Sequence, residues 1–362
     1  MDLSFIAKHT PGWATIIIGV VLLVVGFVLL IKGADWFVDG AAGVAAKMRI
    51  PALVIGLTVV AFGTSAPELA TSVSSAASGS TDISIGNVLG SNICNILLIL
   101  GLSSIIATLP VQKDTLKIDI PVVLVASVLI IVFGVTGKEI VWWEGLIMVA
   151  LLIAYTAFLI WNALRQRKKE GGMSELNDHE VVAEAEAEEG TKKQSKFDAW
   201  YEKMKGKLWF LLVLTVVGIG IVVVGSMLAV EGAKMAAYEI GIPENIVGLT
   251  IVAIGTSLPE LITSAVAAKK GETDIAVGNI IGSNIFNILL VAGLSAVIFP
   301  LPFANDVAGT SFLVDSIIAL GAAALLALFV YLPGHKLRRW NGIILTVGAV
   351  GYYVYCVLSV IL

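Results

Sequence analysis

The chain has 362 residues, 58% of them hydrophobic and only 14% charged, with a formal net charge of −4. A soluble globular domain is about 45–50% apolar and about 25% charged, so this composition excludes one and describes an integral membrane protein. Lys and Arg gather in a few loops and build no basic face, so nucleic acid is not expected as a partner.

Apolar runs of about 18 residues or more recur along nearly the whole length, whereas membrane β-strands would show as segments of about ten residues alternating in polarity. The spans are therefore helices. Gly, Pro and charge clusters divide the first half into predicted spans at 13–45, 51–79, 81–108, 116–136 and 141–164. The apolar stretch from Trp13 to Ile31 is too long for a signal-peptide core and belongs to the first span. Near the end of that span Lys32 is expected to snorkel or to pair with Asp35; neither it, Asp35 nor Asp39 is given a transport role.

Residues 165–207 are polar and charged, with no apolar face long enough for a core, and read as a solvated linker whose acidic run is EAEAEE. Beyond it come predicted spans at 208–238, 243–268, 274–299, 308–332 and 340–362. The expected fold is an all-α membrane protein of ten transmembrane helices, with one membrane unit at 1–164 and a second at 208–362.

The two units repeat each other. At a fixed offset of 192, residues 55–100 match residues 247–292 at 28 of 46 positions without a gap. Five spans is an odd number, so the second unit must enter the membrane from the opposite side, the inverted arrangement found in secondary transporters. Loop charge orients the chain, because short cytoplasmic loops carry excess Lys and Arg. An outside N-terminus puts Lys47, Arg49, Lys113, Lys117, Arg165, Arg167, Lys168, Lys169, Lys269, Lys270, Lys336, Arg338 and Arg339 in the cytoplasm with the linker; only Lys8, Lys138 and Lys234 fall outside. The expected location is the cell membrane, multi-pass, with a cytoplasmic linker.

Within the repeat, GTSAPE at 63–68 returns as GTSLPE at 255–260. A charge at the bilayer centre costs about 2.5–3.5 kcal/mol on insertion scales, which makes Glu68 and Glu260 functional candidates. Pro67 cannot donate to the carbonyl of Gly63, nor Pro259 to that of Gly255, so each span is expected to unwind at GTS-x-P. Freed carbonyls in hydrocarbon need partners, and a hard metal cation held by carboxylate, hydroxyl and backbone oxygens is one. A simple proline kink with a neutral, hydrogen-bonded Glu would explain one copy; two copies at matching places in inverted halves point to a transport site.

A second polar string follows in each half, GNVLGSNICN at 86–95 and GNIIGSNIFN at 278–287. Asn87, Ser91 and Asn95 lie four apart and share a helix face, as do Asn279, Ser283 and Asn287, which makes them a second ring of oxygen ligands. The glycines between them also suit close helix packing. Asp82 and Asp274 read as helix N-caps. Cys94 and Cys356 show no paired spacing and read as buried packing residues. His9, His179 and His335 all lie outside the apolar core, so Ser65 or Ser257 would have no His base for hydrolysis, and an enzyme is not expected.

At the paired GTS-x-PE and GN-xx-GSN strings the chain resembles the sodium/calcium exchangers of the cation/calcium antiporter superfamily, with α-repeats at about 51–108 and 243–299. The resemblance implies antiport of Na⁺ against Ca²⁺, about three to one and electrogenic, by alternating access with spans one and six as a mobile pair. It implies that Glu68 and Glu260 hold Ca²⁺ with the backbone carbonyls of Thr64 and Thr256. Na⁺ would sit among Ala61, Thr64, Ser65, Glu68 and Ser283 on one side, and Ala253, Thr256, Ser257, Glu260 and Ser91 on the other, with Asn95 and Asn287 in the middle. Members of the family often carry Asp where this chain has Asn287, which argues against potassium dependence. Ca²⁺/H⁺ antiport is the alternative, disfavoured because Leu97 and Leu98 stand where proton-coupled relatives place an extra Glu. Neither a cofactor nor an obligate protein partner is expected; the partners are the two transported ions and the lipid bilayer.

Overall fold

The computed structural model describes residues 11–170, 201, 204–242, 253–303, 306–307 and 310–361. Its long helices are α1 Gly12–Met48, a bent pair α2 Ala52–Thr64 and α3 Ala66–Ala77, then α4 Thr81–Ile106, α5 Thr115–Gly137 and α6 Trp142–Glu170. The second half supplies α7 Leu208–Glu239, α8 Ala253–Thr256, α9 Leu258–Lys270, α10 Thr273–Ile298, α11 Phe312–Tyr331 and α12 Arg339–Ile361. Among the described residues eight helices are long and apolar enough to cross a membrane, and the bent pair makes a ninth. The first part of the predicted span at 243–268, residues 243–252, lies outside the described residues.

Loop pairings report the inversion. Leu109–Pro110, after α4, pairs antiparallel with Lys336–Leu337, between α11 and α12. The equivalent segment of the second half, Leu301–Pro302 after α10, pairs with Glu139–Ile140, between α5 and α6. Each short ladder joins a loop of one half to the non-equivalent loop of the other, as two halves related by a two-fold axis in the membrane plane require.

Helices α1 and α7 pack antiparallel along glycines seven residues apart: Gly19, Gly26, Gly33 and Gly40 on α1, Gly218, Gly225 and Gly232 on α7. A Cβ at Gly26 would lie 2.5 Å from the amide nitrogen of Ala229, and one at Gly225 would lie 2.8 Å from that of Leu30. With no hydrophobic driving force between helices in lipid, such backbone-to-backbone contact is where dispersion packing gains most. A small apolar cluster of Leu30, Ala34, Val222 and Ala229, separate from the main core, sets this pair against Leu258 and Ile262 of α9.

Several expectations change. GTS-x-P does not unwind: Ser65 (φ −83°, ψ 5°) is a single-residue break with a 46° bend, and Ser257 (φ −89°, ψ 5°) is a single-residue break with the same backbone conformation. Pro67 and Pro259 fall in the first turn of the following helix, where a missing N–H costs little. Asp82 and Asp274 are not caps; Ser80 and Glu272 hold the cap positions, and each acid is the second residue of its helix, where it complements the helix dipole. Asp274 also accepts a 2.6 Å bond from Gln112 Nε2. Asp35 pairs with Lys270 at 2.6 Å rather than with Lys32, and Lys270 reaches Asp39 at 2.6 Å as well. The last part of the linker is more than a spacer, since Lys205 pairs with Asp39 at 2.8 Å. Cys94 and Cys356 are free and buried, as expected.

The glycine interface gives a stability test. Gly26→Ala is expected to cost about 1–3 kcal/mol, read as a lower melting temperature in detergent, because backbone must shift to admit the methyl. Gly220→Ala, on the same α7 but facing open space, is expected to be neutral or to gain up to about 1 kcal/mol.

Candidate ion site

The two breaks bring the acidic motifs together with the polar faces of α4 and α10, and the hydrogen bonds run across the halves. Ser65 Oγ donates to Glu260 Oε1 at 3.0 Å, and Ser257 Oγ donates to Glu68 Oε1 at 3.4 Å. Ser283 Oγ lies 3.4 Å from Glu260 Oε1 and 3.5 Å from Thr64 Oγ1, while Ser91 Oγ lies 3.5 Å from Ser257 Oγ. Glu68 and Glu260 are 1% and 0% exposed, and neither is paired with a basic side chain among the described residues. In each the second carboxylate oxygen, Oε2, is buried with no hydrogen-bond partner among the described residues.

Asn95 and Asn287 are equally enclosed, and all four of their side-chain amide atoms are unpartnered. Both stand at the start of π-helical turns, Cys94–Leu100 and Asn287–Ala292. A π-turn rotates the residues after it relative to an α-helix and is frequent at functional sites. Ala61 packs beside Gly282, whose added Cβ would lie 2.7 Å from the Ala61 methyl. Ala253 opens α8; its side chain lies outside the described residues.

Asn87 and Asn279 differ from the other members of their strings, because their amides are already engaged. Asn279 Nδ2 donates to Ser264 Oγ at 2.8 Å while its Oδ1 accepts from Thr64 Oγ1 at 2.9 Å. Its twin Asn87 donates to Ser72 Oγ at 2.9 Å and to the carbonyl of Glu68 at 3.3 Å, and accepts from Thr256 Oγ1 at 3.4 Å. Sequence reasoning placed both in the oxygen ring; the geometry makes them struts that fix a Thr of the opposite half. The signal for this was the repeated Ser72 and Ser264, one helical turn beyond each Glu. Asn92 and Asn284, also missed, are buried, with unpartnered amide atoms of their own.

The donor set is all oxygen and amide, with two carboxylates, and among the described residues no group of three or more His, Cys, Asp or Glu side chains could hold a metal. Such a set suits hard cations held loosely enough to leave, not a resident transition metal. A buried carboxylate oxygen with no donor is costly, and a positive charge beside it would relieve that cost.

Comparison with known proteins agrees. A sequence model of the family described as sodium/calcium exchanger protein matches residues 18–161 and 210–361. The putative antiporter CaxA of Alkalimonas amylolytica is 35% identical over 93% of this chain and 96% of its own length. The sodium/calcium exchanger MaX1 of Methanosarcina acetivorans is 34% identical over 95% of this chain and 98% of its own. A solved structure of the sodium-calcium exchanger NCX_Mj superposes with a TM-score of 0.75 at 32% identity, covering 95% of this chain and 99% of that one. These neighbours are transporters, not enzymes.

Asn279→Ala is expected to destabilise by about 1–3 kcal/mol in detergent unfolding, since it removes the partner of the buried Ser264 hydroxyl and leaves Thr64 Oγ1 to the carbonyls of its own helix. Asn87→Ala should cost less, because Asn87 is only half-buried. Thr64→Val combined with Asn279→Ala should be less damaging than the sum of the two, the coupling expected of direct partners.

Proposed function

Because the chain belongs to the sodium/calcium exchanger family and is thereby a cation/calcium antiporter, we propose that it exchanges Na⁺ for Ca²⁺ by alternating access, electrogenically, at about three Na⁺ per Ca²⁺. In this reading Glu68, Glu260 and the backbone carbonyls of Thr64 and Thr256 hold Ca²⁺. Na⁺ takes overlapping positions: Ala61, Thr64, Ser65, Glu68 and Ser283 on one side, Ala253, Thr256, Ser257, Glu260 and Ser91 on the other, with Asn95 and Asn287 between. The observation that carries it is the set of unpartnered oxygens, Glu68 Oε2, Glu260 Oε2, Asn95 Oδ1 and Asn287 Oδ1, all buried and contributed equally by the two halves.

Two ionised carboxylates carry a charge of −2, which one Ca²⁺ or two Na⁺ neutralise. Occupancy by the two ions is therefore mutually exclusive, and an empty site is penalised when it must pass a dry barrier. A third Na⁺ leaves net charge on the sodium-loaded form and makes the cycle electrogenic. Position 287 is Asn, which disfavours potassium dependence, and Leu97 and Leu98 stand where proton-coupled relatives place an extra Glu, which disfavours H⁺ as the driving ion.

Helices α1 and α7 form the mobile pair, and the membrane units 1–164 and 208–362 are the inverted halves. The described state is closed on the side of the α2 N-terminus, which loop charge assigns to the cytoplasm together with the linker, in the cell membrane. There a Cβ at Gly278 would lie 2.8 Å from the carbonyl of Leu53 and 3.0 Å from the Cα of Gly56, so α10 packs directly against the α2 backbone.

Two measurements test the reading. Radiolabelled calcium uptake into proteoliposomes should follow an imposed sodium gradient and respond to membrane potential; uptake that follows a proton gradient and ignores sodium would replace Na⁺ with H⁺. Glu68→Gln and Glu260→Gln should each reduce uptake by more than about tenfold. They should also abolish stabilisation by Ca²⁺, which in the wild type is worth about 2.7 kcal/mol at a hundredfold excess over Kd.

A further inference from the structure

Pro259 leaves the carbonyl of Gly255 without its helical donor, and the structure supplies another. Ser226 Oγ, on α7, donates to Gly255 O at 2.9 Å, and Ser226 is 3% exposed. This bond joins the pair α1–α7 directly to the break that carries Thr256, Ser257 and Glu260. The position equivalent to Ser226 in the first half is Ala34, whose methyl cannot donate to Gly63. The link therefore exists in one half only.

We infer that Ser226 is a positioning residue that couples the place of α7 along the core to the geometry of the second ion-binding turn, and that it favours the state closed to the cytoplasm. The inference rests on the proposed sliding of α1 and α7. A helix that moves by as much as one turn, about 5.4 Å, past its neighbour cannot keep a 2.9 Å bond. The bond thus belongs to one end of the transport cycle and stabilises that end alone. Its companion contact has the same one-sidedness: Lys270 of α9 ties Asp35 and Asp39 of α1, whereas the equivalent positions in the other half hold Ser78, Met227 and Glu231. Glu231 pairs instead with Lys234 of its own helix.

In a carrier with two states, the apparent affinity at each face falls as the state open to that face becomes rarer. Removing the Ser226 hydroxyl should therefore move the two faces in opposite directions. A merely structural role would weaken both together.

The test is calcium–calcium exchange without sodium, measured in right-side-out and inside-out vesicles containing the full chain, for wild type and Ser226→Ala. The substitution deletes one buried oxygen and leaves every proposed ligand in place. The half-saturating Ca²⁺ is expected to rise by about two- to tenfold at the outer face, the range one hydrogen bond allows, and to fall at the cytoplasmic face. Equal shifts at both faces, or none, would overturn the inference. Because this exchange needs no coupling ion, it stands or falls separately from the sodium-gradient experiment, whose failure would reject Na⁺ coupling and leave the role of Ser226 measurable.

Discussion

Two carboxylates buried in a membrane protein, each with one oxygen satisfied by a serine of the opposite half and the other left without a donor, are the constraint on which this structure turns. Leaving such groups bare in a low-dielectric interior is expensive, and no basic side chain among the described residues relieves them. The rest of the helical framework keeps that expense from being relieved in the wrong way. Apolar helices wall off water, the struts through Asn87 and Asn279 occupy the hydroxyls of Thr256 and Thr64, and the proline breaks sit at the one place where helix continuity would bury the needed oxygens in hydrogen bonds. A permanent salt bridge would satisfy the acids equally well and would abolish transport. For the proposed exchange the site must be left two positive charges short.

The crossing of hydrogen bonds between halves follows from the same need. If each Glu were served only by serines of its own half, as Ser283 also serves Glu260, two independent sites would result, each with a single negative charge. Exchange of Ser65 and Ser257 across the two-fold axis fuses them into one site. In the proposed exchange, only a fused site presents two negative charges to a divalent ion and lets monovalent ions compete for the same oxygens.

Much of this was legible in the sequence because it is carried by covalent spacing. Span positions follow from apolar runs, inversion follows from an odd number of spans per repeat, and Glu68 and Glu260 stand out because charge is rare in such surroundings. What escaped notice depends on partners distant along the chain. Asn87 and Asn95 look alike on a helical wheel; only the neighbouring Ser72 and Thr256 decide that one amide is engaged and the other is not. The π-turns at Cys94–Leu100 and Asn287–Ala292 have no side-chain signature, since they are set by how helices pack rather than by the propensities of Ile and Leu. Lys32 was the obvious local partner for Asp35, yet Lys270, 235 positions away along the chain, takes that place. The unwinding expected at GTS-x-P failed for a local reason: a proline in the first turn of a helix restarts it as readily as a proline further in would break it.

A perfectly symmetric pair of inverted halves would make the two ends of an alternating-access cycle equal in energy, because each end is the other seen from the far side of the membrane. Any preference between them must come from residues that break the repeat. Those found here concentrate where α1 and α7 meet the core: Ser226 against Ala34, Lys270 against Ser78, and Asp35 against Met227. Each makes a polar contact between helices in the described state that its repeat counterpart does not make among the described residues. Differences of a few kcal/mol, the scale of a small number of such contacts, are enough to hold the minor state at about 0.1–10%. The duplicated residues can thus define what is carried, and the unduplicated ones the side on which the empty carrier waits.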